Sequence, residues 1–348
     1  MRSGGLAAVV AAVVAASVLG GGAAGAAPRD AGGPAGPPPA VDPDLGSITV
    51  SRISGADRYD MAAEIGKLVS PGPSNVVYLA SGATFPDALS AGPAAAANFG
   101  PLLLVPPDSV PPAVAASLTR LDPLVVKVVG GATSVSDGVL ATVRGLVPHA
   151  VVTRIPGADR YAVSRAVVAD AFPSVPGAAV ATGRDFPDAL SAGAVAGAVG
   201  VPVVLVDGTA SAADGLTTGL LRSLGVDVVT IVGGPLSVST GIQNTILPDA
   251  WVSRVSGANR YEVSINITEF GGPDYSTAYL VTGSNFPDAL AGGVLAAKTR
   301  SPMFVVPSDC VPQRVLALLA KNGTKNVVLL GGPASLGSAV ATLTACSF

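Results

Sequence analysis

From residue 76 onward, short apolar runs alternate with longer segments of helical pattern. Val76–Ala80, Leu102–Val105 and Val125–Val129 read as strands, and Asp87–Asn98, Pro111–Leu121 and Ser136–Leu146 as helices. Pro112 falls where a first helical turn tolerates proline, because the N–H it lacks would have no partner there. Val151–Arg154 starts a crossing into the next stretch, and Tyr161–Ala171 is helical again. Strands that are apolar on both faces and separated by helices predict a parallel sheet covered on both sides. The expected fold class is α/β, built from small doubly wound units.

The pattern occurs three times. Arg52-Ile-Ser-Gly-Ala-Asp-Arg58-Tyr59 returns as Arg154-Ile-Pro-Gly-Ala-Asp-Arg160-Tyr161 and again as Arg254-Val-Ser-Gly-Ala-Asn-Arg260-Tyr261. Phe85-Pro-Asp-Ala-Leu89 recurs at Phe186–Leu190 and Phe286–Leu290, and strands end in Gly130-Gly131, Gly233-Gly234 and Gly331-Gly332. The expected repeats are residues 48–148, 149–248 and 249–348, each near an ordinary domain size. Each Arg motif begins soon after the preceding repeat's last helix, so short connections are expected in place of flexible linkers.

Ahead of the repeats, Arg2 and the apolar run Leu6–Leu19 precede the small-residue pattern Ala24-Gly25-Ala26, as in a secretory signal segment spanning residues 1–26. The run is short for a membrane span, which needs about 20 residues; an uncleaved anchor is the alternative. Residues 27–47 are rich in Pro and Gly and read as a linker outside the fold. The expected product is exported, with no membrane attachment after cleavage. In that compartment Cys310 and Cys346 are expected to be disulfide-bonded, with a pair of free thiols as the alternative.

Composition narrows the chemistry. Apolar residues make up 49% of the 348, which excludes a mainly disordered chain, and the net charge of −3 argues against nucleic acid as partner. A single histidine, His149, argues against a Ser/His/Asp triad or a His-based metal centre. Neither cofactor nor metal is expected. The Gly-Gly turns do not complete the dinucleotide fingerprint; they read as tight strand-to-helix turns, with Ser136 or Ser239 as helix cap. Asp87, Asp188 and Asp288 fall at helix N-termini, where a carboxylate caps free N–H groups or shapes a site beyond the strand ends. Arg52, Arg58, Arg154, Arg160, Arg254 and Arg260 are the most suggestive: planar guanidinium groups form bidentate bonds with carboxylates and phosphates. Intramolecular pairing is the competing reading, and one side chain can do both.

Taken together, these motifs resemble the cell wall binding repeat 2 family. The resemblance covers residues 48–345, including Pro101-Leu102-Leu103-Leu104, Pro202-Val203-Val204-Leu205 and the weaker Pro302-Met303-Phe304-Val305. It implies three tandem flavodoxin-like or Rossmann-like units around a pseudo-threefold axis. It also implies non-covalent attachment to Gram-positive cell walls through an anionic secondary polymer or peptidoglycan-associated glycan. Departures from the pattern are Asn259 for Asp, and Met61-Ala62, Val163-Ser164 and Val263-Ser264 for the usual Thr-Ala. The expectation is a non-catalytic, wall-associated protein that binds polymer through the six arginines. A scaffold working through other surface proteins is one alternative, and an amidase-like hydrolase, for which no catalytic constellation is visible, is another.

Overall fold

The computed structural model describes residues 45–347; the expected signal segment and the linker through residue 44 lie outside the described residues. Strands β1 (Thr49–Ile53), β2 (Val76–Ser81), β3 (Leu102–Val105) and β4 (Val125–Val129) belong to the first repeat. The second holds β5 (Val151–Ile155), β6 (Gly177–Thr182), β7 (Val203–Val206) and β8 (Val228–Val232). The third holds β9 (Trp251–Val255), β10 (Thr277–Thr282), β11 (Met303–Val306) and β12 (Asn326–Leu330). They form three four-stranded, wholly parallel sheets, as the double-sided apolar runs require: β2, β3, β6 and β7 are buried along their whole length.

Sheet membership does not follow the sequence repeat. The sheets run β3-β2-β4-β5, β7-β6-β8-β9 and β11-β10-β12-β1. Each repeat's opening strand is therefore the outer strand of the preceding repeat's sheet. Val151 to Ile155 pairs in register with Val125 to Val129, and Trp251 to Val255 with Val228 to Val232. The first repeat has no predecessor, and β1 pairs with β12 of the third, from Thr49 with Asn326 to Ile53 with Leu330. The chain closes on itself. The connecting segment at Val151–Arg154, which reads locally as a crossing, is fixed by ladder bonds on its way across. Its physical role is to supply the hydrogen-bond partner that an edge strand would otherwise lack.

Helices Pro86–Ala97, Pro187–Val199 and Pro287–Thr299 pack against one another along the axis of the ring. Each lies between its own sheet and the other two, so nearly every side is buried. That explains why they are built of Ala and Gly and lack an amphipathic period. Helices Arg58–Val69, Arg160–Ala171 and Arg260–Gly271 each pack against the axial helix of the preceding repeat and the third strand of their own. One continuous apolar core joins all three repeats, from Met61 through Val180 to Leu330. Among the described residues no helix is long and apolar enough to cross a membrane. Cys310 and Cys346 are disulfide-bonded, holding the C-terminal segment to the loop after β11, where Val311 and Ala345 also bridge.

Ala96, Gly197 and Ala297 occupy equivalent positions where the axial helices converge. A Cβ at Gly197 would come within 3.0 Å of the Cβ atoms of both Ala96 and Ala297. Gly197→Val is expected to lower unfolding free energy by about 1–3 kcal/mol through overpacking. Gly219→Ala, at an open helical position, should be neutral or slightly stabilising. Urea denaturation of both variants checks this; equal stability would show that the axis is loosely packed.

Candidate functional site

The repeated Arg motif forms a compact turn between an outer strand and a helix. Asp57, Asp159 and Asn259 are the N-caps, each accepting hydrogen bonds from two backbone N–H groups of the first turn. The amide oxygen of Asn259 does the work of the carboxylates, so this departure leaves the cap intact.

The two arginines of each motif have different tasks. Arg52 donates to the carbonyls of Gly331 and Leu336 at 2.6 and 2.7 Å. Arg154 donates to the Gly130 carbonyl and to Asp137, both at 2.9 Å. Arg254 donates to the Gly233 carbonyl at 2.7 Å and to Gln243 at 2.8 Å. These three guanidiniums tie each outer strand to the Gly-Gly turn of the sheet it joins, which is the intramolecular reading of the motif.

Arg58, Arg160 and Arg260 face the boundaries between repeats. One nitrogen of each donates to the carbonyl of Gly82, Gly183 or Gly283 at 2.6–2.7 Å. The guanidinium then lies over a phenylalanine of the preceding repeat: Arg58 over Phe286 at 6.0 Å, Arg160 over Phe85 at 5.9 Å and Arg260 over Phe186 at 5.6 Å. The three phenylalanines meet on the axis with ring centroids 5.6–5.8 Å apart. Each is the residue just before an axial helix, so the ring cluster marks the positive ends of three helices. The result is three clefts, each with an aromatic floor and a guanidinium that has only part of its donor set engaged inside the protein. Arg58 and Arg260 are half-buried and Arg160 is exposed.

Asp87, Asp188 and Asp288 occupy the first turn of the axial helices, yet no side chain caps those helices. The carboxylates reach instead to the Gly-Gly turns. A Cβ on Gly130, Gly233 or Gly331 would lie 2.3–2.6 Å from an Asp Oδ2, and the same glycines have φ of 107–127°. Glycine is thus needed twice over, for the backbone and for the carboxylate. Ser335 donates to Asp288 at 3.2 Å, and Ser134 and Ser237 stand at the equivalent places beside Asp87 and Asp188, where they favour the ionised carboxyls. Burial pushes all three carboxyl groups above the ordinary range; the serines, and Arg160, Arg260 and Arg58 across the clefts, pull back.

The structure therefore gathers one arginine, one phenylalanine and one aspartate from adjacent repeats into each cleft, and leaves the other three arginines outside. Sequence reading assigns no task to the phenylalanines or to Ser134, Ser237 and Ser335; their recurrence at fixed offsets was the available signal. Two departures from the family pattern have structural roles. Ser164 and Ser264 are buried and accept from the N–H groups of Leu205 and Val305.

The three repeats and their fold have counterparts among known proteins. The model of the cell wall binding domain 2 (CWB2) family matches residues 52–140, 154–243 and 254–341. N-acetylmuramoyl-L-alanine amidase LytC of Bacillus subtilis is 28% identical over 85% of this chain and 58% of its own length. The amidase enhancer of the same organism is 29% identical over 85% of this chain and 40% of its own. Among solved structures, Cwp6 from Clostridium difficile superposes with a TM-score of 0.76 at 27% identity, covering 86% of this chain and 48% of that one. Cwp8 from the same organism gives 0.76 at 25%, covering 85% and 51%. The chain thus spans about half the length of these proteins.

The buried aspartates set a pH dependence. Their folded values lie above the unfolded ones, so the stability they contribute is complete below the ordinary carboxylate range and is lost as pH rises through the raised values. Asp207, Asp214 and Asp274, whose carboxyls are held down by hydrogen bonds from Thr209, from Thr217 (there outweighing burial) and from Ser276, act oppositely and only at lower pH. Unfolding free energy is therefore expected to fall as pH rises from about 4 toward neutrality. The triple variant Asp87→Asn, Asp188→Asn, Asp288→Asn should flatten that fall. Urea denaturation across this range checks it; an unchanged slope would place the titrating groups elsewhere.

Proposed function

This chain belongs to the cell wall binding domain 2 family, and from that premise we propose that it holds an anionic wall polymer non-covalently in the clefts between its repeats. Membership makes it a wall-binding protein of the cell surface; the polymer class and the residues that grip it are our reading. The observation that carries this reading is the guanidinium of Arg58, Arg160 or Arg260, held over a neighbouring phenylalanine at each boundary with donors to spare. Phosphate or carboxylate groups suit such a site, because a planar fork can bond two oxygens at once. The sequence as a whole carries 23 acidic and 20 basic residues, so attraction of a polyanion has to be local. Three weak clefts on one body suit a repeating polymer, which gains avidity of roughly 10²–10⁴ by engaging several.

The activity in the name of the first relative belongs to a protein of which this chain matches 58%, and guanidiniums held over aromatic rings suit the holding of an anion. We place this chain on the binding side. Assembly with other surface proteins is the alternative role, and the experiment separates them.

Purified walls should retain the protein before, and release it after, chemical removal of secondary polymers. Retention should weaken as salt rises, since exposed charges are screened over about 10 Å at 0.1 M. The triple variant Arg58→Gln, Arg160→Gln, Arg260→Gln should stay folded by circular dichroism and lose at least tenfold in wall affinity. A folded triple variant that binds like the unaltered protein would move the site elsewhere, and self-assembly without walls would favour the scaffold.

A further inference from the structure

The three clefts share one plan but differ in charge. At the two positions before Phe85 and Phe286 stand Ala83-Thr84 and Ser284-Asn285; before Phe186 stand Arg184-Asp185. The Asp185 Oδ1 accepts from the N–H of Phe186 at 2.9 Å, which fixes the carboxylate at the rim. Its Oδ2 lies 4.0 Å from Nη2 of Arg260. Among the described residues no carboxylate lies within 4.0 Å of the guanidinium of Arg58 or Arg160.

We propose that the clefts are unequal anion sites: Asp185 occupies the Arg260 cleft with a carboxylate of the protein's own, and the Arg160 cleft is the preferred one. This rests on the binding reading above and deepens it. An anionic group entering the Arg260 cleft must displace or face Asp185, with Asp188 buried behind it. The motif residues separate Arg160 from Arg58: Asp57 and Asp60 both flank Arg58, whereas Arg160 has Asp159 and Ala162, and Arg260 has Asn259 and Glu262, so Asp185 is what distinguishes the Arg260 cleft. Arg184 turns the other way, toward Asp207 and Thr209 at 3.2 Å, and Asp207, Arg160, Arg184 and Asp159 all lie within electrostatic reach of Tyr161. That exposed ion pair holds Arg184 weakly, leaving it available to an anion beside Arg160. The dipeptide unique to the second repeat therefore adds a cation beside one cleft and an anion inside the next. A threefold ring becomes a polar one, and a polymer laid over it has a preferred starting point.

Nature supplies the control. Asn285 makes the same side-chain bond in the third repeat, accepting from the N–H of Phe286 at 3.0 Å. Asp185→Asn should thus keep the turn and remove only the charge. The arginine Nε–H signals of the full chain are followed by NMR during titration with tripolyphosphate. Arg160 is expected to respond at the lowest concentration and Arg260 at a midpoint at least threefold higher. Asp185→Asn should bring the Arg260 midpoint down about threefold and leave Arg58 unchanged, the size expected for one partly exposed charge pair. Arg260 responding with or before Arg160, an Arg260 midpoint indifferent to Asp185→Asn, or no response at any of the three would overturn the proposal. A parallel measurement on purified walls separates it from the functional reading. If Arg160→Gln weakens retention more than Arg260→Gln, both stand. If the two variants lose equally, the clefts are equivalent and wall binding survives. If the order holds with tripolyphosphate but walls do not retain the unaltered protein, the inequality survives and the wall reading falls.

Discussion

No repeat in this protein can complete its own sheet. The outer strand always comes from the next repeat, and β1 closes the series by pairing with β12. A parallel ladder of five residues at each junction fixes the repeats as firmly as the strands within a sheet are fixed. Everything else about the molecule follows from that closure. The axial helices are pressed together, and a core runs through all three repeats.

The clefts are products of the same constraint. In an isolated repeat the arginine immediately after the N-cap would keep its own repeat's glycine carbonyl as partner but would have no aromatic ring beside it. Here the exchanged strand delivers Arg160 to Phe85, Arg260 to Phe186 and Arg58 to Phe286. The first arginine of each motif makes this possible by bonding the glycine carbonyl at the end of the neighbouring strand. One motif thus contains a clamp and a contact, and the Gly-Gly turn between them leaves room for a buried carboxylate that balances the guanidinium across the cleft.

Much of the fold was legible in the sequence. Leu102–Val105 and Val125–Val129 are strands over the spans the apolar runs mark, and Ser136 and Ser239 cap their helices as their place after a Gly-Gly turn suggests. Local pattern shows that Val151–Arg154 is extended, but not whose sheet it joins, because its partner lies in the preceding repeat. The six arginines look alike on the page; only their tertiary partners divide them. Asp87, Asp188 and Asp288 have the position of caps, and it is the positive φ of a glycine more than forty residues away that draws them off. The phenylalanine cluster is invisible for the same reason, since each ring contributes from a different repeat.

Wall binding by a ring of inter-repeat clefts is the central claim, and the most direct test is a structure of the chain with a fragment of wall polymer released from walls that retain it. The account predicts the fragment's anionic groups within hydrogen-bond reach of Arg160 or Arg58, with its backbone lying over the phenylalanine cluster. A fragment seated on the outer helices, away from all three clefts, would contradict it.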